Sequence, residues 1–157
     1  MDSFPKSLIA EILPKKQDRD RFSNNYVAKQ EANYQIIDPE TNRVWGYVSI
    51  DNTQRGSGLG GIRMATNIGI NEVSRLARAM TLKNSAACLP YGGGKAGLIA
   101  NDSRFYSDPN LKNLLIEKFA DTLFELDNYL PAPDMGTDEY DIQRIYNNHS
   151  KKLNKET

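Results

Sequence analysis

A chain of 157 residues has the size of one domain and can bury roughly two-thirds of the surface that its unfolded form exposes. Twenty basic and twenty acidic side chains cancel, which excludes a global electrostatic pull towards nucleic acid or an anionic membrane. No apolar run approaches a membrane span, the N-terminus lacks a secretory apolar segment, and the single cysteine, Cys88, permits no internal disulfide, so a reducing, cytoplasmic setting is expected.

In chain order, residues 3–13 place Phe4, Leu8, Ile9, Ile12 and Leu13 at helical spacing and then meet Pro14. That pattern predicts a short amphipathic helix. Residues 15–30 are polar and charged and read either as a mobile arm or as a surface helix. NYQIID, the turn residues PETN and RVWGYVSID follow. Aromatic and β-branched residues predict two strands there, most simply a hairpin.

In RGSGLGGIRMA, Gly56, Gly58 and Gly61 satisfy G-x-G-x-x-G after a predicted strand. A dinucleotide loop also needs a helix to open at once, so that its N-terminus meets the pyrophosphate. Here Ile62 to Met64 continues extended and helical periodicity begins only near Asn71, so the fingerprint reads as a decoy. No cofactor-binding or metal-ligating residue is assigned.

The next segment places Val73, Leu76, Ala77, Met80, Lys83 and Ala87 along one helical face. Lys83 is thereby expected to point inward, where an ammonium must find an anion, lose its charge or snorkel past the helix edge. Gly92, Gly93 and Gly94 then precede Lys95, which opens the apolar run AGLIA. Three glycines together mark either the close approach of a ligand or of another backbone, or an ordinary turn into a strand. Two lysines flanking one glycine run would converge on an anion such as a carboxylate or phosphate. Cys88, near the end of an apolar helix with no base beside it, reads as a buried structural thiol.

Residues 110–130 carry Leu111, Leu114, Leu115, Phe119, Leu123 and Leu126 at helical spacing, a helix that covers the core. PAPDMGTDEYD follows, with Asp134 in a proline-stiffened loop and Thr137 or Asp138 as candidate caps of a last helix reaching Tyr146. Taken alone, Asp134 is a turn former. The sole histidine, His149, lies in the polar tail NNHSKKLNKET, expected to fray. The organisation expected is thus residues 1–30 as an N-terminal helix and polar arm, 31–146 as the domain, and 147–157 as a polar tail.

LGGIRM at 59–64, MTLKNSAACLPYGGGKAG at 80–97 and PAPDMGT at 131–137 resemble the three signature blocks of the glutamate, leucine, phenylalanine and valine dehydrogenases, in family order. The similarity runs over about residues 34–146 and covers only that family's N-terminal domain, which binds the amino acid and carries the oligomer interface. It implies an α/β fold, a mixed β-sheet flanked by helices. It also implies oxidation at a CH–NH2 group with NAD or NADP, whose binding domain is expected to be missing from this chain.

The resemblance implies roles residue by residue. Lys83 would pair with the substrate α-carboxylate, with the backbone of Gly60 and Gly61 close beside it. Lys95 would polarise the carbinolamine oxygen and activate water, and Asp134 would exchange protons with the amino group. Arg63 is ambiguous on the sequence alone, with a structural salt bridge favoured over a ligand contact. Glutamate-specific members carry a lysine just before the paired glycines, and here that position is Leu59. With Met80 and Ala132 also at pocket positions, the resemblance favours an apolar L-amino acid or its 2-oxo acid, such as leucine, valine or phenylalanine.

Two functions remain open at this level. One is the substrate half of an amino-acid dehydrogenase, inactive alone and completed by a nucleotide-binding domain that is separately encoded or lost by truncation. The other is a non-catalytic assembly or ligand-binding module of the same fold. Either is expected to form a homo-oligomer, through residues 4–13 or the strand around Trp45 and Tyr47.

Overall fold

The computed structural model describes residues 4–14 and 30–156. They form one six-stranded mixed sheet with four helices. The strands are β1 (Ile9–Ile12), β2 (Ala32–Ile37), β3 (Val44–Asn52), β4 (Gly58–Ala65), β5 (Gly92–Ile99) and β6 (Tyr129–Pro133). The helices are α1 (Ile70–Ala86), α2 (Arg104–Ser107), α3 (Pro109–Leu123) and α4 (Glu139–Glu156). In space the strands run β1-β2-β3-β5-β4-β6. The first four of that order pair antiparallel, and β4 lies parallel to both β5 and β6. An α/β fold with a mixed sheet is therefore observed.

The expected hairpin is β2 and β3. Its turn is fixed by Asp38, whose carboxylate accepts from the Glu40 N–H at 2.9 Å and the Thr41 hydroxyl at 2.8 Å. Asn42 takes the left-handed conformation, φ 57°, that a short polar side chain tolerates.

α1 rides on one face of β3 and β5. A Cβ on Gly93 would strike Thr81 and the Ala77 carbonyl oxygen, and one on Gly97 would strike Ile68 and Val73. The glycines therefore admit a helix, which is the backbone approach left open by the sequence. Gly92, Gly93 and Gly94 are strand rather than turn. Asp51 of β3 clasps the helix, accepting from the Thr81 hydroxyl at 2.6 Å and pairing with Arg78 at 3.4 Å. The opposite face carries the apolar core, where Ile36, Val48, Ile62 and Leu98 meet Leu115, Ile116 and Phe119 of α3 and Ile145 of α4.

Three expectations are corrected. The N-terminal helix is a strand, because residues 9–12 gain a ladder along β2, from Ile9 opposite Ile37 to Ile12 opposite Tyr34, that local periodicity does not register. Leu8 is buried just ahead of it, while Ile12 is 68% exposed. The polar arm falls almost wholly outside the described residues. The tail is not frayed, since α4 runs to Glu156. Ile142, Ile145, Tyr146 and His149 continue one stripe, and the His149 ring stacks on Phe124 at 3.8 Å and 13°. Cys88 is exposed rather than buried. It closes α1 at φ 56°, and beyond it the Leu89 N–H returns to the Asn84 carbonyl at 2.9 Å.

Trp45, one suggested interface residue, is 3% exposed and packs on Phe4 and Phe105 inside this chain. Among the described residues no helix is long and apolar enough to cross a membrane.

Phe119 is fully buried where α3 meets β3. Phe119→Ala should cost about 3–5 kcal/mol of stability, read as a lower urea midpoint with an unchanged slope.

Candidate active site

The site is built where β4 passes between β5 and β6. Gly61 lies opposite Ala132 of β6, and the β4–β5 register brings Ile62 opposite Ala96. Lys95 therefore stands beside Gly61, and a Cβ on that glycine would lie 3.2 Å from Lys95 Nζ and 2.6 Å from the Asp134 Cβ. The missing side chain opens the space that the ion pair fills. Lys95 Nζ lies 2.6 Å from Asp134 Oδ2, with the lysine side chain 6% exposed and the aspartate 20%. The two proposed catalytic residues thus meet, although 39 positions apart in sequence.

Asp134 is held from several directions. Its own N–H reaches the Thr137 hydroxyl at 3.1 Å, and that hydroxyl donates to the Ile62 carbonyl at 2.7 Å. The Met64 N–H donates to the Met135 carbonyl at 2.9 Å. Gly136, at φ 82°, presses on the Met64 carbonyl where any Cβ would collide. The loop of PAPDMGT is thereby stitched to β4. Asp138, rather than Thr137, caps α4, for its carboxylate accepts from the Asp141 N–H at 2.9 Å while that of Asp141 accepts from the Asp138 N–H at 3.0 Å.

Burial pushes the Asp134 carboxyl up, but hydrogen bonds from Lys95, the Met135 N–H and Arg63 outweigh it. Its pKa is held below the ordinary value. Arg63 gives Nε to Asp134 at 3.0 Å and Nη1 to Glu72 at 2.9 Å, the expected salt bridge with two carboxylates in place of one.

Beneath the glycine pair, the Tyr129 hydroxyl donates to the Gly60 carbonyl at 2.8 Å. Complete burial raises its pKa well above the usual phenol value and keeps it a neutral donor. Gly60 itself is a glycine because a Cβ would run into the Gly94 carbonyl. Tyr146 similarly braces β6 at Pro131, at 3.2 Å.

Lys83 does not point inward. It is exposed in the last turn of α1, and the buried position belongs to Asn84, 2% exposed. A 3.6-residue period from Val73 passes between positions 83 and 84, so the pattern alone could not choose. Chemistry did, because an amide can be satisfied without a counter-charge. Asn84 Nδ2 donates to the Gly92 carbonyl at 2.7 Å and lies 3.3 Å from that of Leu59. Leu59, Met80 and Ala132 are each half-buried, on β4, α1 and β6.

The glycine fingerprint does not fit a dinucleotide. Its Gly58 and Gly61 are inside β4, and α1 opens only at Ile70. A Cβ on Gly58 would meet Gly93, so the space is already taken by a neighbouring strand. Among the described residues no group of acidic, cysteine or histidine side chains could hold a metal ion.

Comparison with known proteins shows the family and the fold. The family described as Glu/Leu/Phe/Val dehydrogenase, dimerisation domain, matches residues 25–151. Over 96 residues the chain is 40% identical to glutamate dehydrogenase of Aeropyrum pernix, covering 59% of this chain and 22% of that protein. It is 37% identical over 97 residues to NADP-specific glutamate dehydrogenase A1 of Halobacterium salinarum, covering 60% and 23%. The chain therefore spans less than a quarter of the length of these curated relatives. Among solved structures, the hetero-hexameric glutamate dehydrogenase from Thermus thermophilus in its leucine-bound form matches with a TM-score of 0.66 at 23% identity. That match covers 96% of this chain and 32% of the other, and shares the fold. Glutamate dehydrogenase from Peptoniphilus asaccharolyticus matches at 0.63 and 25%, covering 98% and 34%.

The lowered pKa of Asp134 has a definite sign. Its contribution to stability is fully present above the unfolded carboxylate value near 3.8 and is lost as the pH falls through the lower folded value. Asp134→Asn should therefore unfold at a lower temperature than the wild type at about pH 6, and the gap should close as both are taken below about pH 4.

Proposed function

Because the chain belongs to the Glu/Leu/Phe/Val dehydrogenase family through its dimerisation domain, we propose that it is the amino-acid-binding half of a nicotinamide-dependent dehydrogenase. The observation that carries this reading is the buried Lys95 paired with Asp134 over Gly61. A lysine and a carboxylate 2.6 Å apart can pass a proton between them and their substrate with little rearrangement. Lys95 polarises the oxygen of the carbinolamine and activates water for its hydrolysis to the 2-oxo acid. Asp134 takes the proton from the substrate amino group, and Lys83, exposed at the end of α1, captures the α-carboxylate by charge-assisted hydrogen bonds. The backbone of Gly60 and Gly61 runs alongside that carboxylate. The hydride acceptor, NAD or NADP, belongs to a nucleotide-binding domain on the far side of the cleft, whether continuous with this chain or separately encoded.

Leu59, Met80 and Ala132 form the side-chain pocket and favour an apolar amino acid such as leucine, valine or phenylalanine. A second carboxylate beside Leu59 would meet no cation at that position and would be desolvated without return. The curated relatives named above are glutamate dehydrogenases, which favours glutamate as the second reading. Leu59 is where the two part.

Titration of the 157-residue chain with L-leucine and L-glutamate, followed by amide NMR, tests this. With one wall of the cleft present, leucine should shift Gly60 and Gly61 with a Kd of about 1 mM or weaker. Lys83→Ala should abolish the shifts, and steady-state assay of this chain by itself should show no reduction of NAD or NADP. Glutamate acting at lower concentration than leucine would overturn the apolar pocket. Absence of any response to either, or to their 2-oxo acids, would favour a non-catalytic assembly module.

The same reading makes the chain a homo-oligomer. β1 is the last strand of the sheet, with Ile9 37% and Ile12 68% exposed, so its outer backbone groups can pair with a second copy. Light scattering at micromolar concentration should give a dimer or larger for the wild type and a smaller mass for Ile12→Lys. A monomer for both would remove the interface.

A further inference from the structure

Arg63 is the charged residue of the site to which the reaction above gives no task. It stands on β4 two positions beyond Gly61, with its side chain 22% exposed. Its Nε donates to Asp134 Oδ2 at 3.0 Å, the same oxygen that Lys95 Nζ approaches at 2.6 Å. Its Nη1 is held by Glu72, in the first turn of α1, at 2.9 Å.

A carboxylate turns easily about its last torsion, which has a broad, two-fold profile, so backbone anchoring of Asp134 does not by itself decide which oxygen faces the substrate. A guanidinium can decide it. Its planar fork engages one carboxylate through Nε while Nη1 is fixed by another, a geometry that the point charge of a lysine does not reproduce. Both cationic donors are spent on Oδ2, so beyond the Met135 N–H that also bonds the carboxyl, the second oxygen keeps acceptor capacity with no cation of the described residues upon it.

Resting on the dehydrogenase reading, we infer that Arg63 is a positioning residue: anchored by Glu72, it pins Oδ2 of Asp134 and presents Oδ1 to the substrate amino group. The groups that face Asp134 are Lys95 from β5, Arg63 from β4 and, behind the glycine pair, the phenol of Tyr129 from β6. Glu72 of α1 acts through Arg63. Because Arg63 helps to hold the Asp134 carboxyl below its ordinary range, its removal has a readout that a scaffold role would not move.

The experiment follows the Asp134 side-chain carboxyl carbon by NMR against pH in the ligand-free 157-residue chain, for wild type, Arg63→Met, Arg63→Lys and Glu72→Gln. L-leucine is then added as the probe. Arg63→Met should raise the Asp134 titration midpoint and weaken leucine binding severalfold at neutral pH. Arg63→Lys should restore part of the midpoint but not the binding, since charge returns without the fork. Glu72→Gln keeps the guanidinium but replaces its ionic anchor with a neutral acceptor, and should move the midpoint by less while also weakening binding. It carries the test if Arg63→Met does not fold. An unmoved midpoint in the folded Arg63 and Glu72 variants, with leucine binding at wild-type strength, would overturn the role of Arg63 and leave the dehydrogenase reading intact. A wild type that ignores every amino and 2-oxo acid, yet shows the midpoint shift, would instead overturn the dehydrogenase reading and with it the substrate-facing half of this inference.

Discussion

A buried ammonium has to be met by an anion, and here Asp134 meets Lys95 across two strand boundaries. That requirement fixes much of the surrounding architecture. β4 has to carry a glycine at position 61, or the two side chains could not close. β6 has to run parallel to β4 and end at Pro133, so that the next residue emerges above that glycine. The loop beyond must be tied down, which Thr137, Gly136 and the Met135 carbonyl accomplish by bonding or packing against β4. In buried pairs, removing one partner costs on the order of 3–5 kcal/mol because the other charge is left behind. Asp134 retains some solvent contact, which lessens that cost.

The glycines divide into groups by what they admit. Gly93 and Gly97 let α1 settle on β5, Gly60 and Gly94 let β4 and β5 approach, and Gly61 alone clears space for charged side chains. A glycine-rich stretch that could be taken for a ligand cradle is thus mostly a packing device, with one position given to chemistry. The division also places the helix over β3 and β5 more than over β4. Leu59 and Ala132, half-buried, are on β4 and β6.

Polar groups carried on helices link the site to the scaffold. Asn84 at the end of α1 donates to the sheet at Gly92, while Glu72 near its start grips Arg63. Asp51 secures the middle through Thr81. On the opposite face, Tyr146 from α4 braces β6 at Pro131, and Tyr129, from β6 itself, holds Gly60. The strands that carry Lys95 and lead to Asp134 are therefore supported from both sides of the sheet. Bracing of that kind keeps Lys95 and Asp134 in register.

The sequence by itself determined the hairpin, α1, most of α3, the extended course of residues 62–64 and, through the three signature blocks, the family. Those features rest on short-range periodicity or on local motifs, which the chain carries in full. Only the tertiary structure decided the matters that depend on partners distant in the chain. Residues 9–12 became a strand because β2 offered a ladder. The tail became helix because His149 and Tyr146 found Phe124, and a stripe that includes histidine does not score as apolar. Asn84 displaced Lys83 from the buried face because two sheet carbonyls lay within reach of an amide, where an ammonium would have needed an anion. Arg63 showed its second partner only once α1 brought Glu72 beside it. Local sequence fixes which conformations are cheap, but the choice between neighbouring residues for one buried position is made by what waits there.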